Sequence, residues 1–219
     1  NPNPNLSVLV YGSSFFMNTY DLIQDMTFSQ ARDWTAGTKV TYHVKDWFSV
    51  TGSLHADFYD RFKRHERIDK RQKDYESSIY QPRLTVTSNY FNGHSLILGM
   101  EHTSDELTSD RFSGNANHDL KTRALKETEY FLQDEWTINS RWMISAGIRT
   151  NFSKAFGFMG MPKVAAKYSP DKHWSLRANY SMGYRSPSIK ELFFNWDHLG
   201  MFMIRGNENM RPEKNNYFS

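Results

Sequence analysis

Segments in which polar and apolar residues alternate recur along the whole chain, and the links between them are by turns short and long. The short links are Lys45-Asp46, Asn92-Gly93, Asn139-Ser140 and Ser169 to Lys172, residue pairs and quartets of the kind tight hairpins use. The longer ones fall near residues 20–33, 61–75, 108–122, 155–160 and 185–213. An up-and-down antiparallel sheet with its tight turns on one rim and its long loops on the other produces that order. About nine strands and the start of a tenth follow from it. Helix-period patterning is convincing nowhere; the one helix candidate, residues 188–194, is too short to define an architecture.

Within the strands the period of two separates two faces. Phe48, Val50, Leu54, Ala56 and Phe58 share one face, while Ser49, Thr51, Ser53, His55 and Asp57 share the other. Later strands repeat the division, with Tyr130, Leu132, Trp136 and Ile138 set against Glu129, Gln133, Glu135 and Thr137. Alternation alone does not say whether the apolar face meets a soluble core or lipid. Strands of about 10–16 residues exceed the ordinary length and suit a tilted membrane crossing. The second face carries His55 with Asp57, Glu129 with Glu135, and Arg177 with Asn179, as a wet lumen permits. Trp47, Trp136, Trp142 and Trp174 stand beside short turns, where an interfacial girdle belongs.

Composition removes several function classes. With no Cys there is no disulfide framework, thiolate metal site or Cys nucleophile. A net charge of +3 gives no general case for nucleic-acid binding. The mean hydropathy of −0.71 suits a soluble protein and a membrane β-barrel equally, because lumen and lipid faces average out. The chain opens on Asn1-Pro2-Asn3-Pro4-Asn5, without an initiating Met, and reads as a section of something longer.

The stretch from Tyr180 onward is the most informative. Pro187 removes a ladder donor and stops regular pairing, which resumes only after the turn signals Gly206-Asn207 and Arg211-Pro212. Gly183-Tyr184-Arg185-Ser186-Pro187, then Glu191-Leu192, then Gly206-Asn207-Glu208-Asn209-Met210-Arg211-Pro212-Glu213 resembles the barrel signature of TonB-dependent outer-membrane receptors. Gln133 to Trp136 followed by Ala146 to Arg149, and Leu176 to Tyr180, are similar to that family as well. Glu208 stands where the family usually has Pro, and Met210 where it usually has Leu.

The resemblance implies an all-β fold, an antiparallel up-and-down transmembrane β-barrel that is incomplete here: about ten strands of a barrel of about 22. Residues 1–219 would be one section of the barrel domain, with the family's plug domain and TonB box absent from it. Such a section would leave two strand edges unpaired. The implied function is a receptor, not an enzyme, in the outer membrane of a Gram-negative bacterium. It would import a scarce ligand (an iron-siderophore, haem or cobalamin) by TonB-energised transport. TonB–ExbB–ExbD, acting through the missing plug, and outer-membrane lipid and lipopolysaccharide would be its partners; nucleic acid would not. The resemblance implies no intrinsic cofactor and no resident metal. The alternative is a soluble all-β binding module such as a carbohydrate-binding sandwich.

In such a receptor the residues to consider are aromatic, His and Arg side chains on outer loops. Arg185, Trp196, His198, Phe202 and Arg205 fill that description in the last loop, with Arg suited to carboxylate or phosphate groups. The basic run Arg61, Lys63, Arg64, Arg67, Lys70, Arg71 and Lys73 lies on the same expected rim. It is a solvated loop, a neutraliser of lipopolysaccharide phosphates, or an attractor of anionic ligand. His102, Asp105 and Glu106 form a compact trio, and His118 adjoins Asp119; for haem, His102, His118 and His198 would be the axial ligands to test. Spacing supports no nucleophile motif and no phosphate loop.

Overall fold

The computed structural model describes residues 4–21, 27–65, 70–112, 119–198 and 201–219. Its body is one ten-stranded antiparallel sheet. The strands in chain order are β1 (Leu6–Asp21), β2 (Thr27–Lys45), β3 (Phe48–His65), β4 (Lys70–Ser88), β5 (His94–Ser109), β6 (Lys121–Thr137), β7 (Trp142–Ser153), β8 (Gly157–Tyr168) and β9 (Leu176–Arg185). After a helix α1 (Ile189–Phe193) and a small separate hairpin, β10 (Asn195–His198) with β11 (Phe202–Arg205), the chain returns as β12 (Glu213–Phe218) beside β9. Each strand pairs with its sequence neighbour, and β1 and β12 form the two edges of an open sheet. The apolar face, with Val40, Leu54, Leu84, Leu98 and Leu132 on it, is exposed among the described residues, as it is in a section of barrel wall.

The short rim follows from its turn residues. Gly93 has φ of 78°, and a side chain there would meet the Thr137 carbonyl oxygen at 2.6 Å. Asn139 Oδ1 accepts from the Arg141 and Trp142 amides at 2.9 and 3.0 Å, and Asp171 Oδ1 does the same for His173 and Trp174 at 2.7 and 3.1 Å. Each is a side chain completing a turn that the backbone alone leaves short of a partner.

Register then fixes the faces. Tyr42, Val50, Val86, Leu98, Leu132 and Ile148 form one continuous outward rung across six strands. On the opposite face Ser53, Arg83, Glu101, Glu129 and Asn151 form an inward rung, with Arg83 Nη1 3.3 Å from Glu101 Oε2 and Arg149 Nε donating to Glu129 at 2.8 Å. Aromatic pairs bracket the outward belt. Trp47–Tyr90 and Trp142–Tyr168 sit near the short turns at 4.8 and 4.4 Å between ring centres. Phe16–Trp34 and Phe58–Tyr80 lie toward the other end, both at 5.4 Å. The ten steps from Phe48 to Phe58 span about 33 Å of strand, hence about 25 Å of membrane at a tilt near 40°. That is the height of a lipid-facing band in an outer-membrane barrel.

Beyond Phe58 the structure departs from the sequence expectation. The links expected at 20–33, 61–75 and 108–122 are largely strand: β2 begins at Thr27, β3 runs to His65, β4 starts at Lys70, and β5 and β6 reach Ser109 and Lys121. Link 155–160 shrinks to residues 154–156. Above the membrane both faces are wet, so ladder hydrogen bonds persist while hydrophobic alternation, the only signal available to the sequence, vanishes. The bulge between Arg61 and Phe62, which inserts Asp74 into β4, further breaks the period.

The short helix also matters more than its length suggests. Alone, a helix of one turn and a half is not stable in water. Here Ile189 and Leu192 are 2% and 3% exposed, and Ile189, Phe194, Leu107 and Phe112 form a buried cluster among the described residues, with Tyr75 and Leu125 packed against it. Leu107, Tyr75 and Leu125 lie on the inward face, so α1 folds over the mouth of the lumen at the outer rim. Burying each large aliphatic side chain contributes about 1.5–3 kcal/mol, enough to hold so short an element.

Candidate functional site

A cleft of about 330 Å³ opens at that mouth, lined by Asp33, Tyr59, Arg61, Tyr75, Ser77, Arg111 and Lys190. The long strands supply its floor. Tyr59 and Ser77 are paired across β3 and β4, and Arg61 and Tyr75 are paired on the next rung. A 3-10 turn directly after β5, Asp110–Phe112, brings Arg111 over the floor, and α1 brings Lys190.

The β4 bulge determines the electrostatics. Asp74 is 2% exposed and takes both Arg61 donors, Nε at 3.1 Å and Nη2 at 2.7 Å, with Lys63 Nζ at 3.3 Å and Ser109 Oγ donating to its backbone carbonyl. One carboxylate therefore anchors two cations. Arg111 stands nearby, its guanidinium carbon 4.0 Å from the Trp196 ring centre and 5.9 Å from that of Phe194. Burial, then repulsion from Arg61, pulls the Arg111 guanidinium below its ordinary range. Lys190 Nζ lies 5.2 Å from the Tyr75 ring, and Tyr59 meets Tyr75 edge-on at 5.4 Å. Arg61 and Arg111, both half-buried, stand with the exposed Lys190 among aromatic rings, a grouping chemically suited to an anionic group that carries flat apolar parts. A larger groove of about 400 Å³ between the Asn92-Gly93 turn and Thr137 has no Arg or Lys in its lining.

The residues expected from sequence to meet ligand are unevenly placed. Trp196 reaches the cleft through Arg111, on half-buried β10. Phe202 and Arg205 are exposed on β11, away from the cleft lining. His198 pairs with Phe202 in the hairpin register, its side chain lying outside the described set. Arg185 is committed elsewhere, its guanidinium 2.6 Å from Glu191 and 3.2 Å from Glu213.

That pairing explains the signature. Ser188 and Glu191 make a reciprocal capping box that starts α1. Arg185 ties the box to β9 and, through Glu213, to β12. Pro187 and Leu192 are buried beneath. Gly206 passes so close to α1 that a side chain would meet the Leu192 carbonyl at 2.6 Å, and the Asn207 amide donates to the Glu191 carbonyl at 2.9 Å. The amide of Ser188 and the Arg185 guanidinium hold the Glu191 carboxyl at about 2, well below its usual range. The signature is an interlock for the segment between β9 and β12.

The His102, Asp105, Glu106 trio does not assemble. His102 bonds to Thr128 at 2.9 Å on the outward face, while Asp105 lies inward, and no group of three His, Cys, Asp or Glu able to hold a metal occurs among the described residues. His118 and Arg67 lie outside the described residues, as do the side chains of Arg64 and Lys70. Four cleft residues, Arg111, Lys190, Tyr59 and Tyr75, carry no functional mark in the sequence pattern. Lys190 lies inside the family signature, whereas nothing distinguishes the other three, because the bulge and the 3-10 turn that place them leave no periodic trace.

Residues 2–219 match the family model "TonB dependent receptor-like, beta-barrel". An iron-regulated outer membrane virulence protein of Vibrio cholerae is 25% identical over 178 residues, 78% of this chain. The chain spans 25% of that relative's length. A mutant of the ferric enterobactin receptor of Pseudomonas aeruginosa has a similar fold, with a TM-score of 0.78 at 11% identity over 97% of this chain and 37% of that one. The siderophore receptor PirA of Acinetobacter baumannii gives a TM-score of 0.78 at 11% identity, covering 98% of this chain and 38% of its own.

Proposed function

Because the chain belongs to the TonB-dependent receptor β-barrel family, whose barrels lie in the outer membrane of Gram-negative bacteria, we propose that it forms the receiving wall of an iron-chelate importer. The observation that carries this reading is the cleft in which Arg61, Arg111 and Lys190 face Tyr59 and Tyr75 at the lumen's outer mouth. An anionic iron chelate would meet fixed guanidinium and ammonium charge there, and aromatic faces would border its planar donor groups. An iron-siderophore is favoured over haem or cobalamin. Two structural neighbours are named as siderophore or ferric enterobactin receptors, the relative from Vibrio is iron-regulated, and His102 turns away from the lumen.

In this reading residues 1–219 are one section of a larger barrel, and the plug, with its TonB box, belongs to the rest of the receptor. TonB–ExbB–ExbD pulling on that plug would drive passage inward. The barrel itself performs no chemistry; it binds, orients and guards. The β10–β11 hairpin, with Trp196, His198, Phe202 and Arg205, would border the ligand from above, and Arg185 would keep its base in place.

The test is ferric-chelate binding and uptake by the intact receptor carrying Arg111→Ala or Lys190→Ala. Each change is expected to weaken binding about tenfold, the worth of one charge-assisted contact. Unchanged affinity in both variants, with the proteins folded and inserted, would overturn the assignment.

A further inference from the structure

The basic run between residues 61 and 73 is not one patch. The bulge sends Arg61 and Lys63 inward onto Asp74, while Arg71 and Lys73 emerge on the opposite, outward face. There they meet Arg32 around a single ring. The Arg71 guanidinium carbon is 4.0 Å from the Phe62 ring centre, Lys73 Nζ is 5.6 Å and the Arg32 guanidinium carbon is 5.9 Å. Arg71 and Arg32 both donate to the neutral amide oxygen of Gln30, at 2.9 and 3.4 Å. Lys73 pairs with Glu76 at 2.9 Å, and Asp60 lies opposite Arg32 and Glu76 one step nearer the membrane.

Height decides what this cluster faces. Phe62 is four residues beyond Phe58, about 13 Å along the strand and about 10 Å above the outer aromatic girdle at the same tilt. Long cationic side chains at that level reach the phosphate layer of a membrane leaflet while their stems rest on the protein. Arg32 and Arg71, sharing an uncharged acceptor, keep donors and charge for a further anion, and guanidinium forks match phosphate oxygens.

We propose that Arg32, Arg71 and Lys73, set around Phe62 on the outward face of β2–β4, bind the phosphate of an outer-leaflet lipid. The inference rests on the reading of the chain as an outer-membrane barrel, and it gives the expected lipopolysaccharide contact a place distinct from the ligand cleft. The aromatic ring serves as a spacer that holds three cations apart at a distance suited to one phosphorylated headgroup.

The experiment measures binding of lipid A carrying both phosphates, and of the same lipid with both removed, to the intact receptor in detergent. Arg71→Ala/Lys73→Ala is expected to lower affinity for the phosphorylated lipid about 25-fold, about fivefold for each charge, and to leave the dephosphorylated lipid unaffected. Arg71→Lys, which retains charge, should keep most of the affinity. Equal affinity of the wild type and the double variant for phosphorylated lipid A overturns the proposal. So does full displacement by millimolar inorganic phosphate, which would mark a site for the free anion. Should the double variant fail to fold, Arg71→Gln takes its place, with about a fivefold loss expected and no loss overturning the proposal. Iron-chelate binding, followed on the same proteins, should not change. Failure of the cleft assignment would appear instead in the Arg111→Ala variant, so the two ideas can fail separately.

Discussion

The membrane wall and the outer rim are made of the same strands, yet they obey different rules. In the wall a side chain's environment is decided by parity: even-numbered residues of β5 and β6 such as Leu98 and Leu132 face out, and odd-numbered ones such as Glu101 and Glu129 face in. At the rim, parity is reset by one inserted residue, Asp74, and by side chains that arrive from α1 and the 3-10 turn. The wall can therefore be described by a pattern, whereas the rim depends on individual contacts. The ligand and lipid sites proposed above both lie where the pattern gives out.

The sharpest way to break the comparison is at the bulge. Asp74→Ala leaves Arg61 and Lys63 without their shared carboxylate. A loss of about 3 kcal/mol is expected, at the low end for a broken buried pair because the Lys63 side chain is 42% exposed. Chemical denaturation in detergent would measure it, and a loss below about 1 kcal/mol would mean that the rim tolerates disorder as readily as an ordinary surface. Next comes Ile189→Ala, which hollows the buried cluster beneath α1 and should destabilise by about 2.5 kcal/mol. Amide exchange should report the loss in residues 186–212, and protection in β6 and β7 should persist; a global loss would show that rim and wall unfold as one unit.

In the wall, Leu98→Lys places a charge in the lipid belt, with an expected cost of about 2 kcal/mol. The neighbouring inward substitution Gln133→Lys, which meets water, should fall within about 0.5 kcal/mol of the parent. Similar costs at both positions would refute the assignment of faces.

The smallest effect concerns pH. The Glu191 carboxyl is held at about 2 from an ordinary 4.5, so its contribution to the interlock is fully present above pH 4.5 and is lost as pH falls toward 2. Hydrogen-exchange protection of α1 should decline in that window in the parent, and Glu191→Gln should remove the dependence. A parent protein whose α1 protection is flat between those pH values would contradict the capping geometry.

Legibility follows the same division. The short turns at 46, 92–93, 139–140 and 169–172, the strand count, the lipid-facing rows and the signature are all readable from sequence, because turn chemistry and period-two patterning are local. Strand continuation past Phe58 is not, since a ladder with water on both sides leaves no mark on side-chain choice. The cleft is half visible: Arg61, Lys63 and Trp196 stand out by residue type and position, but Arg111 and Lys190 reach it only through tertiary packing. Arg185 is conspicuous for its motif, and its work is mechanical, a clamp on Glu191 and Glu213.

That clamp bears on how the sheet assembles. Through β9 every strand joins the one just made, so pairing can advance as a zipper with little chain to gather at each step. β12 is different, because the whole of 186–212 must be drawn in before Glu213 finds Arg185. Closing a loop of that length rather than a two-residue turn costs about 2 kcal/mol more in chain entropy, at about 0.6 per doubling. With α1 docked through Ile189 against Leu107, and Gly206 held against Leu192, less of that segment is left to order when β12 joins. The residues that mark the family thus shorten the free chain between β9 and β12, and with it the entropy that their pairing must offset.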